Sequence, residues 1–124
     1  ERFENPLDDA ESLLLDKKGR IIEIGKPAQN YTQINGQYIG LMKFSNHGIQ
    51  NLKKTYYKSK RLGQMQNKNI KDAYMTDLLQ SLIDEDINIW PVNIKGEWIE
   101  VDTVKDLELE ITKQRLEFIS TKNR

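Results

Sequence analysis

The chain has 124 residues, in which 19 Lys and Arg balance 19 Asp and Glu, and this length suits one domain with a moderate core. Zero formal net charge argues against nucleic acid or an anionic membrane as partner, and the lack of cysteine excludes disulfides, thiol catalysis and thiolate metal sites. No apolar run approaches the ~20 residues of a membrane span and no signal-peptide pattern is present, so a soluble, cytoplasmic α/β protein is expected.

The first two predicted elements are strands that form a hairpin. Ser12 to Leu15 and Arg20 to Ile24 are β-rich runs, and the turn Asp16-Lys17-Lys18-Gly19 between them suits a hairpin connection. Gly25-Lys26-Pro27 ends the second run. An antiparallel pair is therefore expected near the beginning of the sequence.

A third strand and a first helix are predicted next. Residues 37–44 are a strand candidate interrupted by Gly40, where a ligand or another backbone can approach closely. Ser45 and Asn46 are suitable caps for the helix that follows. Its apolar residues recur at helical spacing, at Ile49, Leu52 and Tyr56.

A polar segment, a longer helix and another strand follow. Residues 63–69 predict a polar loop. The next helix has an apolar face made of Ile70, Tyr74, Leu78, Leu79, Leu82 and Ile83. Residues 87–94 predict a strand, and Pro91 within it favours an edge position or a bulge.

Residues 98–102 predict a strand with two carboxylates on one face. Because alternate side chains of a strand point to opposite faces, Glu100 and Asp102 emerge together, about 7 Å apart, while Ile99 and Val101 pack inward. Two such carboxylates at the carboxyl end of a strand suit a hard divalent cation. The alternative is a solvated strand edge, and spacing alone leaves both interpretations open.

The last predicted element is a capped helix. Thr103 stands at an N-cap position and Asp106 follows three residues later, which is the pattern of a capping box ahead of Leu107. The helix is expected to continue past Ile111 to Phe118. The order β-β-β-α-α-β-β-α favours an α/β fold with one mixed sheet and packed helices.

Four segments carry a family resemblance. They are residues 19–26, 38–45, 74–79 and 98–107, which are spread over most of the range 12–110. In order and rough spacing they resemble the C-terminal half of bacterial nucleotidyltransferases that make activated sugars or activated phosphocholine. The nearest branch is the phosphocholine and aminoethylphosphonate cytidylyltransferases. The resemblance implies the C-terminal part of a nucleotide-diphospho-sugar-transferase-like, Rossmann-like fold.

The nucleotide-binding half of that family has no counterpart here. It carries a Gly-rich loop followed by an Arg, and a first metal-binding Asp. Residues 1–124 are therefore expected to be a single domain or fragment that supplies the acceptor-substrate and metal half. A nucleoside triphosphate and a small phosphorylated acceptor would bind only with the missing half, so the fragment alone is expected to be inactive. Neither nucleic acid nor membrane is an expected partner, whereas an exposed sheet edge predicts a homo-oligomer.

The resemblance also implies site residues. Asp102 matches the second metal-binding carboxylate of the family, with Glu100 beside it, and the implied cofactor is Mg²⁺. Lys26 matches a catalytic Lys that faces the substrate phosphate as a point charge, although by itself it would be a solvated surface residue. Tyr38 and Gly40 match the strand that borders the acceptor, and core packing is the alternative for Tyr38.

Tyr74 and Asp77 lie three residues apart on one predicted helical face. One interpretation is an aromatic and acidic pocket that binds the ammonium head group of choline or an aminoethyl group. The alternative is a buried helix cap or a salt bridge from Asp77 to a Lys or Arg. The spacing does not choose between these interpretations.

The implied reaction transfers a nucleoside monophosphate, CMP from CTP in the nearest branch, to an acceptor like phosphocholine or aminoethylphosphonate. Pyrophosphate is released. Two alternatives stay open. One is half of a sugar-1-phosphate nucleotidylyltransferase, and the other is a non-catalytic interaction or regulatory domain with the same fold.

Overall fold

The computed structural model describes residues 7, 10–96, 98–101 and 103–122. Leu7–Pro91 form one compact unit, and the chain from Val92 onward belongs to another. Among the described residues, no helix is long and apolar enough to cross a membrane.

The predicted hairpin is confirmed. Strand β1, Glu11–Leu15, pairs antiparallel with strand β2, Ile21–Pro27. The Asp16 carboxylate organises the turn, because its Oδ1 accepts the backbone N–H groups of Lys18 at 2.8 Å and Arg20 at 2.9 Å. The hydrogen bond from the backbone N–H of Arg20 is the main reason that the pKa of Asp16 lies below its usual value. The Arg20 guanidinium lowers this pKa to a smaller extent. Local turn chemistry therefore fixes this hairpin.

Helix α1, Asn46–Leu62, begins where the sequence predicted a cap. The Ser45 hydroxyl oxygen accepts the backbone N–H of Gly48 at 3.0 Å, which satisfies one of the free donors of the first turn. The helix ends at Gly63, whose φ of 72° is the left-handed conformation that glycine adopts at helix ends.

The predicted polar loop at residues 63–69 is wrong. Strands β3, Gln64–Met65, and β4, Lys68–Asn69, form a short antiparallel hairpin there. Its two turn residues, Gln66 and Asn67, have φ of 46° and 61°, the backbone of a tight two-residue hairpin turn. Met65 is only 4% exposed and anchors the hairpin in the interior.

Helix α2, Met75–Asp84, begins later than its apolar pattern predicted. Ile70–Asp72 form a separate 3₁₀ turn, so the stripe that begins at Ile70 is not one continuous helix. Leu79 and Leu82 of α2 pack with the hairpin residues Leu13, Ile21 and Ile24 to form the core.

Three predicted strands are wrong over the residues described. Residues 37–44, 87–94 and 98–101 lie outside regular strands. Gly40 turns the first of them with a φ of 79°, and Pro91 has no N–H to donate within the second. The expected single mixed sheet is therefore replaced, in the described part of the chain, by two two-stranded antiparallel sheets. The class remains mixed α/β.

The second unit contains two helices where one was predicted. Helix α3, Val104–Glu108, is followed by helix α4, Glu110–Lys122. The break lies at Leu109, whose φ of −61° and ψ of 132° are extended rather than helical. Ahead of α3 the predicted capping box is confirmed, since the Asp106 carboxylate accepts the Thr103 N–H at 2.8 Å and the Thr103 hydroxyl accepts the Asp106 N–H at 3.3 Å.

Candidate functional site

A bulge in β2 places Lys26. Glu11 pairs with Pro27 and Leu13 pairs with Ile24, so Gly25 and Lys26 both stand opposite Ser12. A bulge of this kind with a left-handed residue bends a strand and redirects the next side chain. Gly25 supplies that conformation with a φ of 79°. The buried Ser12 hydroxyl accepts the Lys26 N–H at 3.3 Å and holds the bulge closed.

Lys26 forms an exposed ion pair within its own strand. Its Nζ donates to Glu23 Oε2 at 2.6 Å, and the two side chains are 55% and 23% exposed. The bond from Lys26 is the main reason that the pKa of Glu23 lies below its usual value. The ammonium that the resemblance assigns to a substrate phosphate therefore has a carboxylate partner that solvent also reaches.

Gly25 also brings β2 against the beginning of α2. A Cβ at residue 25 would collide with the side chain of Thr76, whose Oγ1 would lie 2.6 Å away. Thr76 is 5% exposed. A few residues along, Gln80 Oε1 accepts the Ile24 N–H at 2.9 Å. The turn that carries Lys26 is thus fixed against the first turns of α2.

Asp77 lies in the first turn of α2 and is buried, with 6% of its surface exposed. Its Oδ2 accepts the backbone N–H of Tyr74 at 2.7 Å. Both carboxylate oxygens also accept hydrogen bonds from Lys68 Nζ, each at 2.9 Å. The same Nζ lies 5.0 Å from the centroid of the Tyr74 ring. The alternative of a buried cap with a salt bridge is therefore the arrangement found, and a substrate-binding role stays a prediction.

Tyr38 packs partly buried against the core, as its structural alternative stated. Its hydroxyl donates to Met42 Sδ at 3.3 Å, and burial raises its pKa. Gly40 is exposed, and a Cβ there would meet nothing within 4 Å. The positive φ at Gly40, rather than close packing, explains why a glycine stands here. The acceptor-binding role of Tyr38 and Gly40 stays a prediction.

The metal prediction concerns Glu100 and Asp102. Glu100 is exposed on a segment without regular structure, and Asp102 lies outside the described residues. The described part of the chain contains no group of three or more His, Cys, Asp or Glu placed to hold a metal ion. Because Mg²⁺ usually takes only one or two protein carboxylates and completes its shell with phosphates and water, an exposed Glu is a suitable donor.

The structure brings together one set of the predicted residues. Lys26, Tyr74 and Asp77 are linked through the contact of Gly25 with Thr76 within the unit Leu7–Pro91. Glu100 belongs to the other unit. Sequence reasoning missed Lys68, because residues 63–69 were expected to be a loop. The available signal was Asn67, a residue that tolerates the left-handed turn conformation, two positions after the apolar Met65.

The chain was compared with known proteins. It is 45% identical over 112 residues, or 90% of its length, to the CTP:phosphoglutamine cytidylyltransferase of Campylobacter jejuni. The chain is similar to a cytidylyltransferase. The resemblance seen in four short segments is therefore confirmed over nearly the whole sequence.

The match covers only part of the relative, and two other comparisons found no match. The chain spans 44% of the length of that relative. No family model matches the sequence. No solved structure matches it either, so the mixed α/β class rests on the elements described above.

Proposed function

We propose that this chain is the acceptor-substrate and metal part of a cytidylyltransferase. The complete enzyme would transfer CMP from CTP to a small phosphorylated acceptor and release pyrophosphate. The similarity to a cytidylyltransferase over 90% of the chain carries the proposal. We further propose that the complete enzyme has a Rossmann-like fold and that this part alone is inactive. Self-association through a sheet edge stays a prediction.

The proposed reaction is a single displacement at phosphorus. A phosphate oxygen of the acceptor attacks the α-phosphorus of CTP, a new P–O bond forms, and the bond to the β-phosphate oxygen breaks. The electron pair of that bond leaves with pyrophosphate. No side chain of this chain forms a covalent intermediate, so its contribution is to position the reactants and balance their charge.

Lys26 is proposed to bind the acceptor phosphate. Its ammonium is a compact point charge with three donors, which suits a phosphate oxygen. An exposed ion pair contributes only about 0–1 kcal/mol, so exchanging Glu23 for a doubly charged phosphate costs little. The bulge at Gly25 holds the backbone during this exchange, because Ser12 and Thr76 fix it on both sides.

Glu100 and Asp102 are proposed to hold Mg²⁺ in the complete enzyme. Bound there, the ion would supply charge neutralisation for the triphosphate. The observation behind this assignment is the exposed carboxylate of Glu100, an oxygen donor of the kind that Mg²⁺ prefers. Thr103 and Asp106 fix the backbone that follows, through the capping box of α3.

The acceptor is proposed to be a small phosphorylated nitrogen compound. The relative in Campylobacter jejuni is named for phosphoglutamine, whereas the motifs point to phosphocholine or aminoethylphosphonate. All three carry a phosphate or phosphonate oxygen that can attack CTP. They differ in the head group, which is zwitterionic in the first and cationic in the other two.

The test uses the longer protein that contains this chain. We expect CTP- and acceptor-dependent release of pyrophosphate, and we expect Asp102→Ala to lower the rate on the order of 10²-fold or more. Glu117→Ala, at an exposed position on α4, is the matched control and should keep the wild-type rate. Full activity in Asp102→Ala would remove the metal role. Activity only with a sugar 1-phosphate, or no activity at all, would support one of the two alternatives instead.

A further inference from the structure

We infer that Asp77 and Tyr74 form an ammonium-binding site that the protein fills with its own Lys68. The site has the two components that recognise an ammonium ion, a carboxylate and an aromatic face. Lys68 Nζ lies 2.9 Å from both Asp77 oxygens and 5.0 Å from the Tyr74 ring centroid. A free ammonium ion would need the same position.

The Asp77 carboxylate is buried and fixed in position by hydrogen bonds. Asp77 is 6% exposed, and its Oδ2 also accepts the backbone N–H of Tyr74 at 2.7 Å. A buried carboxylate is costly unless it is paired and hydrogen-bonded. Removing the ammonium therefore leaves an anionic site with a strong preference for another cation.

The hairpin that carries Lys68 is fastened to α2. Gln66 Nε2 donates to Asp84 Oδ2 at 2.6 Å and to Ser81 Oγ at 3.2 Å. Met65 is buried beside them, and the Ile70 N–H donates to the Gly63 carbonyl at 3.0 Å to close the hairpin. Lys68 is thus presented by a fixed backbone rather than by a free tether.

A tethered group competes at a high effective concentration. Even short flexible linkers give effective concentrations in the millimolar range, and the pre-organised hairpin raises that of Lys68 further because it loses less entropy on binding. A free ammonium compound below that effective concentration will therefore not displace Lys68. The site is closed to such ligands as long as Lys68 is present.

The ion pair of Lys58 and Glu85 is a more solvent-exposed pair in the same protein and serves as a comparison. Lys58 Nζ donates to one Glu85 oxygen at 2.6 Å, and the other oxygen accepts the Thr55 hydroxyl. The Glu85 side chain is 30% exposed, compared with 7% for Asp77. Removing Lys58 leaves a carboxylate that water and Thr55 still satisfy, so no ammonium site is created.

An occupied ammonium site restricts which acceptors the complete enzyme can bind, and in that respect the inference rests on the proposed function. The bonds to Asp77 use two of the three donors of the Lys68 ammonium, and the side chain is 40% exposed. The Lys68 ammonium therefore occupies the position in which a choline or aminoethyl group would meet Asp77 and Tyr74. An acceptor with a neutral or zwitterionic head group is compatible with it, and a purely cationic one is not.

The binding test uses this chain and methylammonium chloride as the probe. Thermal unfolding is followed in methylammonium chloride and in sodium chloride at equal ionic strength. We expect Lys68→Ala to have a lower Tm than wild type and to regain about 2–4 °C in ~200 mM methylammonium. Wild type, Lys58→Ala and the double variant Lys68→Ala with Asp77→Asn should show no such difference between the salts.

Two results would overturn the inference: no specific gain in Lys68→Ala, or an equal gain in wild type. Should Lys68→Ala not fold, Lys68→Met keeps the aliphatic stem and is expected to show the same gain. In the longer protein, Lys68→Ala should raise kcat/KM for phosphocholine relative to wild type. Wild-type protein that releases no pyrophosphate with any acceptor would refute the proposed function, while the methylammonium result would still decide the role of Lys68.

Discussion

Two lysine–carboxylate pairs are connected through the Gly25–Thr76 contact, because Lys26 follows Gly25 and Asp77 follows Thr76, and they differ in how firmly the carboxylate is held. The Asp77 side chain is 7% exposed and accepts two bonds from Lys68 as well as the Tyr74 N–H. Glu23 is 23% exposed and binds Lys26 through one oxygen at 2.6 Å. The first pair is therefore a fixed part of the fold, whereas the second can exchange its carboxylate for another anion.

The two proposed roles depend on this difference. Lys68 is proposed to stay on the buried Asp77 and close the site, whereas Lys26 is proposed to leave the partly exposed Glu23 and bind a phosphate. The two pairs are joined through the backbone, because Gly25, the residue before Lys26, packs directly on Thr76, the residue before Asp77.

The largest expected effect comes from adding a methyl group at this central contact. Gly25→Ala puts a side chain at a φ of 79° and against Thr76, so we expect a loss of about 3 kcal/mol from backbone strain and overpacking. Gly19→Ala is the matched control, since its φ is 83° and nothing lies within 4 Å; it should lose only about 1 kcal/mol. Urea unfolding of both variants measures the difference, and equal losses would show that the Thr76 contact does not matter.

A smaller effect is expected from neutralising the buried carboxylate. Asp77→Asn keeps the shape and an acceptor for the Tyr74 N–H, but Lys68 loses its charged partner. Because Lys68 is 40% exposed, the penalty should be reduced from that of a fully buried pair to about 2 kcal/mol. Glu85→Gln, which neutralises the more exposed pair with Lys58, should lose under about 1 kcal/mol. Similar losses in urea unfolding would mean that Asp77 and Glu85 are held equally loosely.

Local chemistry made part of this fold predictable from the sequence. The Asp16 turn, the Ser45 cap and the capping box of Thr103 and Asp106 depend on residues within four positions of one another, and each is found as expected. The similarity to a cytidylyltransferase was also visible, because its motifs are short and lie in order along the chain.

Interactions between distant residues were harder to predict. Strand patterns at residues 37–44 and 87–94 identify apolar alternation, but strand formation needs a pairing partner, which a single segment does not specify. Lys68 reaches Asp77 only because Gln66 and Asn67 adopt a left-handed turn. The salt bridge of Asp77 was therefore predicted as an alternative, but the lysine that forms it was not identified.

The smallest expected effect concerns Glu23 and its dependence on pH. Lys26 lowers the pKa of folded Glu23 below its usual value, so the carboxylate contributes stability above the unfolded pKa and loses it as the pH falls through the folded pKa. Since both side chains are exposed, wild type should exceed Glu23→Gln by only about 0.5 kcal/mol at pH 7.

That small difference should begin to fall near pH 4.5, the usual pKa of a Glu side chain, and should disappear as the pH drops through the lower pKa of the folded carboxylate. Urea unfolding of both proteins at pH 7 and at lower pH measures it. In the longer protein, Glu23→Gln should also lower the KM for the acceptor, because Lys26 no longer exchanges one anion for another. A stability difference that persists in acid would mean that Glu23 acts through packing rather than through its charge, and Lys26 would then not be the exchangeable partner that phosphate binding requires.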